Sequence, residues 1–130
     1  MAAVYLDTSA LGRVLLGEPD AAAVLRDLAG FEQRVSSRLL RVELRRLALR
    51  FGALDGADQL LTGVALLPID DSILATAETI GPLTVATLDA IHLVTALRVS
   101  SSRLLDAVMT YDARLAAGAA QHGLEVIAPA

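Results

Sequence analysis

The sequence predicts an α/β protein with a central parallel sheet of four to five strands flanked by helices. Two observations lead there. Short apolar runs alternate with stretches of helical periodicity along the chain, the pattern of strands joined by helical crossovers. Two of those runs, in "VYLDTSALG" and "AVMTYDARL", end on hydroxyl and aspartate residues. In parallel α/β sheets that is where ligands bind, outside the carboxyl ends of the strands. The length of 130 residues suits a single domain, 1–130, with a real core.

Taken in order, Ala3–Leu6 is the first strand, and helical periodicity follows over 9–16 and 20–29. A weaker strand covers Arg34–Ser36, followed by helices at 37–50 and 55–65. Leu66–Ile69 reads as a strand and 71–79 as a helix. Gly81–Thr84 is a loop, because Gly-Pro punctuates it. A helix over 87–99, a strand at Ala107–Tyr111, a helix at 112–121 and a last strand at Glu125–Ile127 complete the pattern. No repeat, low-complexity tract or linker interrupts it.

Composition narrows the function classes. There are no cysteines, which excludes disulfides and thiolate zinc sites. No apolar run approaches the roughly 18 residues of a membrane span, and no signal-peptide pattern is visible at the N-terminus. A cytoplasmic protein is expected. Hydrophobic residues make up 55% and the mean hydropathy is +0.57, so part of the surface is expected to be covered by a partner. The net charge of -4 argues weakly against nucleic acid. Its distribution argues the other way: Arg34, Arg38, Arg41, Arg45, Arg46 and Arg50 are accompanied by one acid, Glu43.

Four carboxylates border apolar segments. Asp7 ends the first strand, with Thr8 and Ser9 behind it, and any of the three is a candidate cap for the next helix. In the helix from Ser37, Leu40, Leu44, Leu47 and Phe51 share an arc expected to face the core. Glu43 lies at the edge of that arc, with Arg46 and Arg50 just beyond. An ion pair with Arg46 is the plain alternative to a cleft position. Val42 and Leu49 form a second apolar stripe, a candidate partner contact. In "TLDAIHLVTAL", apolar nearly all round, Asp89 and His92 share a face. Thr87 or Asp89 could cap that helix, and His92 reads as a buried supporting residue rather than a ligand. Asp112 repeats the layout of Asp7. Four converging carboxylates would raise one another's pKa values, and a divalent cation relieves that. All-oxygen ligands favour Mg²⁺ or Mn²⁺ over zinc.

With "YLDTSAL", "SSRLLRVELRR", "TLDAIHLVTAL" and "VMTYDARL" in this order, the chain resembles the PIN-domain family, specifically its VapC-type ribonuclease toxins. The resemblance spans nearly the whole chain. It implies a PIN-like three-layer fold and an acidic pocket of Asp7, Glu43, Asp89 and Asp112 that holds Mg²⁺ or Mn²⁺ and cuts RNA, such as a tRNA or a ribosomal RNA loop. Asp7 and Asp89 would be the direct metal ligands. Glu43 and Asp112 would orient the attacking water or hold a second ion. Thr8, Ser9 and Thr110 match supporting hydroxyl positions, and Arg38, Arg46 and Arg50 are candidates for flanking phosphates. The resemblance further implies homodimers and heterotetramers or larger assemblies with a VapB-type antitoxin, which inhibits cleavage and makes the only contact to DNA. No membrane contact is implied.

Three rivals remain at this level. An aspartyl-phosphate phosphatase would want a second aspartate where Ser9 stands. A PIN-like RNA-processing nuclease outside a toxin–antitoxin pair shares the same four acids. A non-catalytic PIN-like binding module would usually have lost one of them. Aromatic residues are only 3%, so a broad base-stacking platform is not expected.

Overall fold

The protein is represented by a computed structural model that describes residues 2–130. In chain order its elements are β1 (Ala3–Leu6), α1 (Thr8–Leu15), α2 (Ala21–Ala29), β2 (Gln33–Ser37), α3 (Arg38–Arg50), α4 (Leu54–Leu61), β3 (Ala65–Leu67), α5 (Asp71–Ala77), α6 (Thr87–Ser102), β4 (Ala107–Met109), α7 (Ala113–Gln121) and β5 (Val126–Ile127). The strands form one sheet in the order β3-β2-β1-β4-β5, and every pairing is parallel.

β1 takes the central place because all four of its residues can be buried. Ala3, Val4, Tyr5 and Leu6 have no exposed surface. Alternation along the strand sends Val4 and Leu6 to one face and Tyr5 to the other. On the first face they join Leu11 of α1, Val24 and Leu28 of α2, Leu40 and Leu44 of α3, and Ala57 and Leu61 of α4. On the second, Tyr5 joins Val35, Val108, Leu93 and Ala96 of α6, and Leu115 and Ala119 of α7. Helices thus cover both faces of the parallel sheet, as its apolar strands require.

The direction of winding reverses at β1. From β1 the chain builds β2 and β3 on one side, then crosses to β4 and β5 on the other. The gap between the carboxyl ends of β1 and β4 is therefore the switch point of the sheet, where open α/β folds place their ligands.

The strand expected at Arg34–Ser36 is longer than its weak pattern suggested and stands beside β1, its inner residues Val35, Ser36 and Ser37 buried. Other boundaries move slightly. β3 starts and ends earlier than Leu66–Ile69, and β4 stops at Met109 instead of Tyr111, because Thr110 and Tyr111 are drawn into side-chain hydrogen bonds. One core expectation fails. Leu40 and Leu44 are fully buried, but Phe51 is 63% exposed. α3 ends at Arg50, and Gly52 follows at φ +64°, so Phe51 leaves the helix before its arc reaches the core. At the other end of the fold, a Cβ on Gly118 would meet Val85 Cγ2 at 2.8 Å and Leu93 Cδ2 at 3.4 Å. Glycine there leaves room for Val85, in the loop that leads into α6.

Among the described residues, no helix is long and apolar enough to cross a membrane. Leu44 tests the packing of the first face. Its replacement by alanine is expected to lower the unfolding free energy by about 2–5 kcal/mol, read as a fall in the urea midpoint at constant slope. A near-neutral result would mean that α3 is not packed as described.

Candidate active site

Asp7 sits immediately past β1. Its backbone N–H continues the β1–β4 ladder to the carbonyl of Met109, at 3.1 Å. It occupies the position before α1, yet its side chain caps nothing. The carboxylate is drawn instead to two hydroxyls: Ser9 donates to Oδ2 at 2.7 Å and Thr110 at 2.8 Å. Ser9 Oγ also accepts the backbone N–H of Tyr111, at 2.8 Å, which ties the end of β4 to α1. Asp7 is almost wholly buried, and its Oδ1 has no hydrogen-bond donor among the described residues.

Glu43 projects from the second turn of α3 toward the same place. Thr8 donates to its Oε1 at 2.7 Å, and His92 Nε2 lies in hydrogen-bond contact with the same atom at 2.8 Å. The expected alternative, an ion pair with Arg46, does not form, because these two donors already hold the carboxylate. Burial works against ionisation of Glu43, but the hydrogen bonds from His92 and Thr8 outweigh it and hold its pKa below the ordinary value. Its Oε2 has no protein partner among the described residues.

Asp112 does what its position suggested: Oδ1 caps α7, accepting from the N–H groups of Arg114 at 2.9 Å and Leu115 at 3.0 Å. That occupies one oxygen and leaves Oδ2 open. Asp89 stands in the first turn of α6. The helix starts after Ala86, with no side-chain cap from Thr87 or Asp89. The Asp89 carboxyl is pushed up to about 6, first by burial and then by the charges of Asp112, Asp7 and Glu43, with His92 acting in the opposite direction. The four carboxylates therefore share one electrostatic site.

Within it the tightest group capable of holding a metal is Asp7, Glu43 and His92, with one candidate ligand atom from each lying within 4.8 Å of the others. His92 Nε2 is 3.7 Å from Asp7 Oδ1. Among the described residues, no arginine pairs with any of the four carboxylates. Among the described residues, Asp7, Glu43 and Asp112 each have one oxygen taken by protein donors and one left over, while Asp89 has no protein donor. That donor set fits a hard divalent cation.

The arginines proposed at the rim are spread along α3. Arg38 opens the helix at the carboxyl end of the sheet, while Arg46 and Arg50 lie about one and two turns beyond Glu43. All three are exposed and unpaired among the described residues. Asp20 precedes α2 without making a capping hydrogen bond, whereas Asp70 caps α5, at 2.8 Å to the Ile73 N–H. The residue that the sequence reading passed over is Tyr5. It looks like ordinary core, but its hydroxyl lies 2.7 Å from His92 Nδ1. The available signal was that a buried tyrosine hydroxyl needs a partner.

Residues 4–121 match the PIN domain family model. The chain belongs to the PIN-domain family. It is 38% identical to Ribonuclease VapC47 of Mycobacterium tuberculosis, covering 97% of this chain and 96% of that protein. It is 40% identical to Ribonuclease VapC46 of the same species, with 99% of each covered. Among solved structures, it superposes on a toxin-antitoxin complex from Klebsiella pneumoniae with a TM-score of 0.73 at 18% identity, over 98% of both chains. M. tuberculosis VapC20, described as a Sarcin-Ricin loop cleaving toxin, gives 0.71 at 16% identity, covering 97% of this chain and 99% of that one. The five-stranded parallel sheet and its flanking helices are thus the PIN fold.

The raised Asp89 pKa has a consequence for the metal-free protein. The folded state holds the Asp89 proton more tightly than the unfolded chain does, so this contribution to stability is full below the ordinary 3.8 and is lost as pH rises through about 6. Asp89→Asn carries no such charge. Its melting temperature is expected to exceed that of the wild type at pH 7.5 in EDTA, with the gap narrowing toward pH 5. A gap independent of pH would argue against carboxylate crowding at Asp89.

Proposed function

We propose that this protein is the toxin of a toxin–antitoxin pair, cutting a loop of tRNA or ribosomal RNA with Mg²⁺ or Mn²⁺ in the Asp7, Glu43, Asp89 and Asp112 pocket. Its enzyme class is that of its VapC relatives, an endoribonuclease hydrolysing phosphodiester bonds. The observation that carries the metal reading is the set of open carboxylate oxygens near the switch point with no arginine among the described residues to neutralise them.

Asp7 and Asp89 would hold the ion, with Glu43 and Asp112 orienting the attacking water or holding a second ion. When bound, the ion supplies charge beside the scissile phosphate and lowers the pKa of a water. Thr8, Ser9 and Thr110 act through the acids: their hydroxyls fix one oxygen of Glu43 or Asp7 and so set the direction of the other. Arg38, at the start of α3, is the best placed of the three arginines to meet a phosphate flanking the cut, with Arg46 and Arg50 farther along the strand's path. Setting the four pocket carboxylates aside brings the net charge of -4 to zero, which removes the electrostatic objection to RNA. Val42 and Leu49, 56% and 58% exposed on α3, support a covered surface, as expected of a chain that forms homodimers and is inhibited by a cognate antitoxin in the cytoplasm.

The test is cleavage of total cellular RNA by the purified protein. Discrete fragments are expected with Mg²⁺, and none with EDTA. Asp7→Asn should keep its fold, since an amide oxygen still accepts from Ser9 and Thr110, and should lose cleavage. Millimolar Mg²⁺ should also raise the melting temperature; an ion at 100 times its Kd adds about 2.7 kcal/mol. Fragments that persist in EDTA, or an active Asp7→Asn, would overturn the reading.

A further inference from the structure

We infer that Tyr5 and His92 form a buried relay that positions Glu43, with His92 Nε2 donating to Glu43 Oε1 and so unavailable as a metal ligand. Its functional consequence rests on the metal-nuclease reading; the hydrogen placement does not.

The argument starts from donors and acceptors. A carboxylate oxygen accepts, and Oε1 of Glu43 already acts as the acceptor for the Thr8 hydroxyl. At 2.8 Å from Glu43 Oε1, His92 Nε2 must therefore carry a hydrogen. Thr8 donates to that same oxygen, at 2.7 Å. With two donors on Oε1, the carboxylate is locked about its last torsion and Oε2 alone is left to meet a cation. Nε2 could become a ligand only by giving up its hydrogen and its bond to Glu43, while Asp7 Oδ1, at 3.7 Å, is too far to replace that bond.

The ring is held from behind. The Tyr5 hydroxyl meets Nδ1 at 2.7 Å, and the two rings pack edge to face, 79° apart with centroids 5.8 Å apart. Both residues are buried. Burial pushes the Tyr5 phenol far above its ordinary pKa, so it stays an O–H group and does not add a charge. The central strand β1 and the helix α6 are thereby connected through side chains to Glu43 on α3. Second-layer partners of this kind orient ligating carboxylates, and removing one typically weakens metal binding by about 10- to 100-fold.

The deciding measurement is the ¹⁵N and ¹H NMR signature of the His92 ring in the wild-type protein, without metal and saturated with Mg²⁺. A protonated Nε2 in both states is expected. A ring with hydrogen at Nδ1 only, or Nε2 losing its hydrogen as Mg²⁺ binds, overturns the inference. Pulsed EPR of the Mn²⁺ form should show no directly bound nitrogen; a strong ¹⁴N coupling lost in His92→Leu would overturn it. Variants separate positioning from bulk packing. His92→Gln keeps an N–H near Nε2 and should bind Mn²⁺ within a few-fold of wild type, whereas His92→Leu should bind about 10- to 100-fold more weakly. Equal losses in both overturn the positioning role. If His92→Leu fails to fold, Tyr5→Phe takes its place: it should keep Nε2 protonated but weaken Mn²⁺ binding, and unchanged binding overturns the relay. If the wild type binds neither Mg²⁺ nor Mn²⁺, the metal reading falls, and the ring signature still decides the hydrogen placement.

Discussion

The rest of the site depends on a buried carboxylate, Asp7, at the end of a fully buried strand. Burying an ionised group without partners is prohibitive, so β1 can end on Asp7 only if something satisfies it. Two hydroxyls do, Ser9 from α1 and Thr110 from the end of β4. Hydrogen bonds to a charged acceptor contribute about 1.5–3 kcal/mol each. They also bring β4 and α1 to the switch point, because the donors belong to those elements. The same Thr110 hydroxyl accepts the N–H of Asp112, at 3.0 Å, so the third carboxylate is located by the support of the first.

Satisfying these acids with hydroxyls and an imidazole, and with backbone N–H groups at Asp112, has an electrostatic consequence. An arginine would have cancelled the charge; neutral donors leave it in place. Among the described residues no arginine cancels the charges of these acids, and the raised Asp89 pKa reflects burial first and their repulsion second. Folding energy from the two apolar faces of the sheet offsets that local cost. Each fully buried leucine contributes about 1.5–3 kcal/mol, and several belong to α1 and α3, the helices that carry Thr8, Ser9 and Glu43. A rigid, densely packed base is what allows like charges to be held in proximity.

Much of this was legible in one dimension. Strands and helices announced themselves because burial imposes period 2 or 3.6 on apolar residues, and the PIN resemblance followed from four short segments in order. The apolar envelope of α6 predicted a helix buried on most sides, as found. Less legible were features governed by partners distant in sequence. Asp7, Asp89 and Asp112 all invited a capping explanation, and only Asp112 caps. The difference lies in which hydroxyl or backbone N–H group the fold brings within reach. Phe51 fitted the core arc of α3 by angle, yet the helix stops one residue too soon.

By itself the sequence determined the α/β alternation, an all-apolar "AVYL" strand, the absence of cysteine chemistry and the four acids beside apolar segments, because these are properties of local pattern and composition. Only the tertiary structure decided how those acids are held. Thr8 serves Glu43 while Ser9 and Thr110 serve Asp7, and Tyr5 turns from core filler into the partner of His92. These hydrogen bonds run between atoms that meet only after the sheet has closed, 103 residues apart for Thr110 and Asp7, and no periodicity along the chain encodes which donor faces which oxygen.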